Sequence, residues 1–265
     1  MRILFTGASG ALGKLYMSMY PDTIPASVRY SSTDKYIALV NEIKTADVII
    51  HASANLNPRG IEDAILDNAL LTYNIVNATG KVNPNCHVIL ISAMSLLGED
   101  GEPKKIRDMT HYAASKYIME ELALEDAKVP LTIVRFSSLF YADNHRDGLS
   151  KMIYTAANNG CVVASDCMRD FIPLWAVCKW INKLCGNKVW YNKTINLSSG
   201  KAINMIDVAH HLVEKYGVDF HRTSLPDYTN ICYKFNSDDA QSLERINFDI
   251  YKLIDDYYES LKKGN

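Results

Sequence analysis

The sequence predicts an α/β fold: a doubly wound parallel sheet with helices on both faces and a small C-terminal α/β cap. Three observations carry this prediction. Short apolar or β-branched runs alternate with longer stretches of helical periodicity. A glycine-rich turn separates the first apolar run from the first helical stretch. The chain also has 265 residues, 48% of them hydrophobic, enough to bury a sizeable core.

The elements follow in order. Residues 3–5 read as a buried strand and 11–19 as a helix ended by Pro21. A second strand is expected over 27–30, a helix over 35–43, and a third strand over 48–52 after the loop that closes at Asp47. Helical periodicity over 62–78 gives way to Pro84, followed by a strand over 87–91, a helix over 112–126 and a strand over 132–136. Only about fifteen residues separate the first two helices, short for a full crossover, so one strand is expected to be missing relative to a complete doubly wound sheet. Near residue 140 the rhythm changes. A polar loop over 143–148 precedes shorter elements: a helix over 149–158, a strand over 162–164, a helix over 177–184, a strand over 195–197, and helices over 206–216 and 250–261. The expected division is therefore a sheet domain over 1–140 and a smaller region over 141–265, partly interleaved with it.

The turn reads Thr6-Gly7-Ala8-Ser9-Gly10-Ala11-Leu12-Gly13. Gly7 permits a tight turn, Gly10 lets backbone approach a pyrophosphate, and Gly13 lets the helix pack on the strand, with the helix N-terminus facing the phosphates. Its position directly after an apolar strand makes this a Rossmann-type dinucleotide site, and residues 1–140 the dinucleotide-binding domain. The region over 141–265 is then the expected substrate-binding part, with specificity set around Asn144, residues 162–164 and the C-terminal third.

A second motif is Tyr112-Ala113-Ala114-Ser115-Lys116. Residues four apart share a helix face, so a phenol and an ammonium converge. A phenol with a pKa near ~10 is a poor acid–base at neutral pH, and a neighbouring ammonium favours its ionised form. By itself such a pair is common on helix surfaces. In the helix after the fourth strand, downstream of the glycine turn, it reads as catalytic.

Together these motifs resemble the extended branch of the short-chain dehydrogenase/reductase superfamily, the NAD-dependent epimerase/dehydratase family that modifies nucleotide sugars. The resemblance covers almost the whole chain. It implies that Ala52, Ser53 and Ala54 line the cofactor, that Asp34 touches the adenine amino group, and that Asn68 lies near the cofactor. It implies further that Lys116 holds the nicotinamide ribose, that Ser137 sits near the nicotinamide amide, and that Arg169, in Arg169-Asp170-Phe171-Ile172, contacts the substrate's diphosphate. A guanidinium fork suits a diphosphate, although pairing of Arg169 with Asp166 or Asp170 is the plainer alternative.

The pattern breaks in one place. The family hydroxyl that bonds the reacting substrate oxygen falls on Ala93, within Ser92-Ala93-Met94-Ser95-Leu96-Leu97-Gly98. Ser92 and Ser95 flank it, and either is a candidate replacement. Losing one oriented donor costs about 10²–10³ in rate. Met94 and Ser95 also stand where sugar 4,6-dehydratases carry an acidic pair, so water elimination is not expected. At the end of the second strand, Arg29 with neighbouring serines suits a 2′-phosphate, which favours NADP over NAD, while Arg29 stacked on the adenine leaves NAD open.

Composition excludes other classes. The net charge is −2 with no basic stripe, so no nucleic-acid partner is expected. No apolar run approaches the ~20 residues of a membrane span, and the opening Met1-Arg2-Ile3-Leu4-Phe5-Thr6-Gly7 reads as a core strand, so a cytoplasmic protein is expected. Cys86, Cys161, Cys167, Cys178, Cys185 and Cys232 lack paired spacing and read as reduced thiols with no metal. The expected activity is an NAD(P)-dependent epimerase or reductase of a nucleotide-activated sugar. The alternatives are a dinucleotide-binding sensor that has lost the chemistry and a dehydrogenase of a smaller carbonyl compound. A homodimer is expected through a four-helix contact of 62–78 and 112–126, as in many relatives.

Overall fold

Strands covered on both faces read as continuous buried runs, and the first unit of the chain is built from such runs. The computed structural model describes residues 1–28, 32–98, 100–142, 147–224 and 237–263. Its first half runs β1 (Ile3–Thr6), α1 (Ala11–Met19), β2 (Ile24–Ala26), α2 (Thr33–Ile43), β3 (Val48–His51), α3 (Ile61–Ala64), a π-helical segment Ile65–Leu70, α4 (Leu71–Val82), β4 (His87–Ala93), α5 (His111–Asp126) and β5 (Leu131–Phe136). There follow β6 (Ser138–Phe140), α6 (Gly148–Asn159), β7 (Cys161–Ala164), β8 (Met168–Pro173), α7 (Leu174–Leu184), β9 (Lys193–Leu197), β10 (Ala202–Asn204), α8 (Met205–Tyr216), β11 (Asp219–Arg222), α9 (Asp238–Leu243) and α10 (Ile250–Lys263).

Two units result. The first comprises 1–97, 102–136 and 177–197. Its six-stranded sheet has the order β2-β1-β3-β4-β5-β9, with every pair parallel. All residues of β1 and β3 are buried. On one face Leu4, Ile49, Val88, Leu90 and Ile133 pack with Leu39, Ile43, Ile75 and Val76 of α2 and α4. Among the described residues only β2 lies beyond β1, one strand fewer than the 3-2-1 side of a complete doubly wound sheet.

The second strand is a correction. It lies at Ile24–Ala26, paired with Leu4–Thr6; of the expected 27–30, residues 27 and 28 are not strand and residues 29 and 30 lie outside the described residues. Pro25 cannot donate to a ladder, but β2 is an edge, where a missing N–H is tolerated. The helix expected over 62–78 extends from 61 to 82 and is broken by one π-helical stretch.

The second unit comprises 98–101, 137–176 and 198–265. It holds a three-stranded sheet, β10-β8-β6, and the parallel pair β11-β7. Leu149, Ile153, Val162, Leu212, Ile254 and Tyr257 form its core, drawn mainly from α6, α8 and α10. The expected boundary at 140 is coarser than this division, because 177–197 returns to the first unit and contributes β9. No described helix is long and apolar enough to cross a membrane.

Close backbone packing around the first turn generates a test. A Cβ on Gly13 would stand 2.6 Å from Ala8 Cα and the Gly7 carbonyl oxygen, whereas one on Gly60 meets nothing within 4 Å. Gly13→Ala should cost about 1–3 kcal/mol and Gly60→Ala less than about 0.5 kcal/mol. Thermal melting of the two variants measures the difference, and equal melting temperatures would contradict the packing.

Candidate active site

The first turn is shaped by what lies beside it. Gly7 has φ 79°, and a Cβ there would lie 2.8 Å from the Ala52 carbonyl and the Ser53 nitrogen. The Gly10 N–H donates to the Gly7 carbonyl at 3.0 Å, and α1 begins at Ala11 with no side-chain cap and no acid in its first turn. Free N–H groups and the positive end of the helix dipole suit an anion. Ser9 is exposed, and Ala11, Leu12, Ala52, Ser53 and Ala54 are half-buried around the turn. A close backbone approach with an uncapped helix end fits the pyrophosphate of a dinucleotide. Asp34 lies exposed in the first turn of α2, where its charge also favours the helix dipole.

Beneath the turn runs a buried chain of hydrogen bonds. Thr6 Oγ1 bonds His51 Nδ1 at 2.7 Å, His51 Nε2 bonds Thr72 Oγ1 at 2.9 Å, and Thr72 Oγ1 donates to the Asn68 carbonyl at 2.6 Å. Because the Thr72 proton goes to Asn68, its oxygen accepts from Nε2–H, and Nδ1 accepts from Thr6. Burial, reinforced by the Lys116 charge, pushes His51 down to about 3, so the ring is neutral. The Asn68 side chain is fully committed: its oxygen accepts from Asn55 N–H at 2.7 Å, and its amide donates to Asn55 O at 3.1 Å and to Ser115 Oγ at 2.9 Å. Asn68 thus ties the loop after β3 to α5, and it does so from the π-helical segment, a distortion often found at functional sites.

α5 carries the predicted pair. Thr110 caps it by accepting from Ala113 N–H. Tyr112 is half-buried, and Lys116 Nζ stands 5.8 Å from its ring centroid. Lys116 is 2% exposed and donates to the Ile91 carbonyl at 2.8 Å. Burial pushes Lys116 down to about 8, opposed by the Glu120 carboxylate.

The two serine candidates separate. Ser92 donates to Glu120 Oε1 at 2.5 Å, so its proton is not available to a substrate oxygen. Ser95 Oγ is buried with no hydrogen-bond partner among the described residues. In the second unit, Ser137 Oγ donates to Asp170 Oδ1 at 2.6 Å. Asp170 also accepts from Ser199 N–H, the Ser199 hydroxyl and Lys201 N–H. Arg169 lies in β8 opposite Ile203, and Asp166 accepts from Asn204 and Arg222. Arg29, Asn144 and Cys232 lie outside the described residues. Cys86, Cys161, Cys167, Cys178 and Cys185 are free thiols. Among the described residues no group of three or more His, Cys, Asp or Glu is placed to hold a metal.

Glu120 was not singled out in the sequence. Arg135 Nε donates to both of its oxygens at 3.0 and 3.1 Å, and a second guanidinium nitrogen donates at 2.5 Å. The available signal was the four-residue spacing of Tyr112, Lys116 and Glu120. An acid within a helix is ordinarily solvent-exposed, which hid it.

The neutral His51 has a consequence for stability. An unfolded histidine titrates near ~6.5, so between that pH and about 3 the unfolded chain binds a proton that folded His51 does not. Stability should fall as the pH drops through this window. Melting temperature against pH checks it: His51→Asn should flatten the slope between pH 6.5 and 4, and an unchanged slope would contradict the assignment.

A family model for the NAD dependent epimerase/dehydratase family matches residues 3–172. No curated protein matches the chain significantly by sequence. Among solved structures the chain is similar to MoeE5 in complex with UDP-glucuronic acid and NAD, at 17% identity and a TM-score of 0.82 over 100% of both chains. It is similar to UDP-glucuronic acid 4-epimerase from Bacillus cereus in complex with UDP-glucuronic acid and NAD, at 15% identity and 0.79 over 100% of both. It is also similar to dTDP-4-dehydrorhamnose reductase from Bacillus anthracis in complex with NADP, at 17% identity and 0.78 over 98% of this chain and 99% of that one. At these identities the likeness is one of fold. The family match runs from β1 into β8, more than half of the chain, and on that match the chain belongs to the NAD dependent epimerase/dehydratase family and is an enzyme of the short-chain dehydrogenase type.

Proposed function

We propose that this enzyme is an NAD(P)-dependent epimerase or reductase of a nucleotide-activated sugar, with Tyr112 as the proton-transfer group. The observation that carries this reading is the Lys116 ammonium held 5.8 Å from the Tyr112 ring on one face of α5. Gly7, Ser9, Gly10, Ala11, Leu12 and Gly13, with Ala52, Ser53 and Ala54, would hold a dinucleotide, Asp34 its adenine and Lys116 its ribose. When bound, the nicotinamide supplies the acceptor and donor for hydride.

Tyr112 takes the proton of the reacting substrate hydroxyl and returns it. Lys116 stabilises the ionised phenol, with one of its three donors occupied by Ile91 O. Ser95 bonds the reacting oxygen in place of the hydroxyl absent at Ala93. Its unpartnered buried Oγ supports this choice over Ser92, whose proton is committed to Glu120. Asn68 orients α5 through Ser115. Arg169 binds the diphosphate, and Ser137, already a donor to Asp170, offers its lone pairs to the nicotinamide amide. UDP- and dTDP-sugars are the natural panel, because proteins of similar fold carry these nucleotides or are named for them. NADP against NAD turns on Arg29. A homodimer through α4 and α5 is supported by Tyr117, Ile118 and Leu122, half-buried on α5, beside exposed Leu124.

The second reading is a dinucleotide-binding sensor, favoured by Ala93 and by the commitment of Ser92. Product analysis over the sugar panel separates the two. The enzyme reading predicts turnover that falls about 10²–10⁴-fold in Tyr112→Phe and about 10²–10³-fold in Ser95→Ala. Undiminished turnover in Tyr112→Phe would overturn it, and tight dinucleotide binding without turnover would favour the sensor.

A further inference from the structure

Glu120 is 1% exposed, and its carboxylate is ion-paired with Arg135. Arg135 reaches it from β5 with a two-nitrogen fork, and Ser92 reaches it from β4. Ser92 and Arg135 are direct partners in the β4–β5 ladder, so neighbouring strands address one carboxylate from the same sheet face. Lys116 lies one helical turn earlier on α5.

The surroundings of Lys116 are poor in charge. Its Nζ has the Ile91 carbonyl at 2.8 Å and the Met119 sulfur at 3.8 Å. Tyr112 presents a ring from the same helix, and His51, the titratable group acting on it from β3, is neutral. The negative charge acting on Lys116 comes from Glu120, and Arg135 is the further cation beyond it.

We propose that Glu120 is a positioning residue that holds Lys116 in its charged form and fixes α5 against β4 and β5 through Ser92 and Arg135. A buried ammonium beside one neutral oxygen is disfavoured by desolvation, and a carboxylate one turn away offsets part of that cost. Ser92 and Arg135 keep the carboxylate oriented, and Arg135 tempers its charge. The proposal rests on the functional reading only in giving the Lys116 charge a use beside Tyr112.

The test reads Lys116 directly. Lysine side-chain resonances of isotope-labelled full-length protein are followed against pH by NMR, with Lys116→Met assigning the signal, and melting temperatures are recorded alongside. In the wild-type protein the midpoint is expected near pH 8. Glu120→Gln should lower it by about one pH unit or more, and Glu120→Asp should restore most of the shift. Arg135→Gln should raise it, since a cation is removed. All three variants should melt earlier, because each disturbs a buried pair. A structural tie alone predicts earlier melting with an unmoved midpoint. That result, or shifts of the same sign in Glu120→Gln and Arg135→Gln, would overturn the proposal. If Glu120→Gln does not fold, the upward shift in Arg135→Gln decides. Shifted midpoints without sugar turnover would count against the functional reading alone, and turnover with unmoved midpoints against this proposal alone.

Discussion

An ammonium buried to 2% exposure is the constraint around which the first unit is organised. Lys116 cannot be solvated, so every group around it must be either neutral or opposite in charge. His51 meets the first condition. Its two nitrogens are satisfied by Thr6 and Thr72 in one tautomer, and a proton added to that ring would face Lys116. Glu120 meets the second, and Arg135 and Ser92 satisfy its oxygens in turn. One helix therefore carries the Tyr112 phenol, the Lys116 ammonium and the Glu120 carboxylate at successive four-residue steps.

The same constraint links the glycine turn to the helix. Thr6 ends β1 directly before Gly7, bonds His51, and accepts from Ser53 N–H at 3.4 Å. The chain continues through Thr72 and Asn68 to Ser115, which donates to the Tyr112 carbonyl. A run of neutral hydrogen bonds thus connects the glycine turn to the first turn of α5. Each member is buried, so loss of one leaves its neighbour unsatisfied.

Local features were legible in the sequence and long-range partnerships were not. The glycine turn and the Tyr112/Lys116 pair are read within eight and five residues, because backbone sterics and helix periodicity act over those spans. The strand at Ile24–Ala26 was displaced because Pro25 is tolerated only at an edge, and edge position is a property of the sheet. The π-helical segment leaves no mark on an otherwise helical pattern. Glu120 pairs with residues 15 and 28 positions away, so nothing local distinguishes it from a solvent charge. Ser92 and Ser95 are equivalent by sequence, and only the direction of each side chain separates them. Asp170 behaves similarly in the second unit: it sits within the Arg169–Ile172 segment, but its partners Ser137, Ser199 and Lys201 come from distant parts of the chain.

The proposed function requires that a nicotinamide dinucleotide bind on the Gly7–Gly13 turn and reach the Tyr112–Lys116 face of α5. Hydrogen exchange of the chain with and without NAD and NADP tests it most directly. Slower exchange over residues 7–13 and 52–54, together with the start of α5, is the predicted result. Unchanged exchange at the turn with either dinucleotide, or protection confined to other segments, would contradict it.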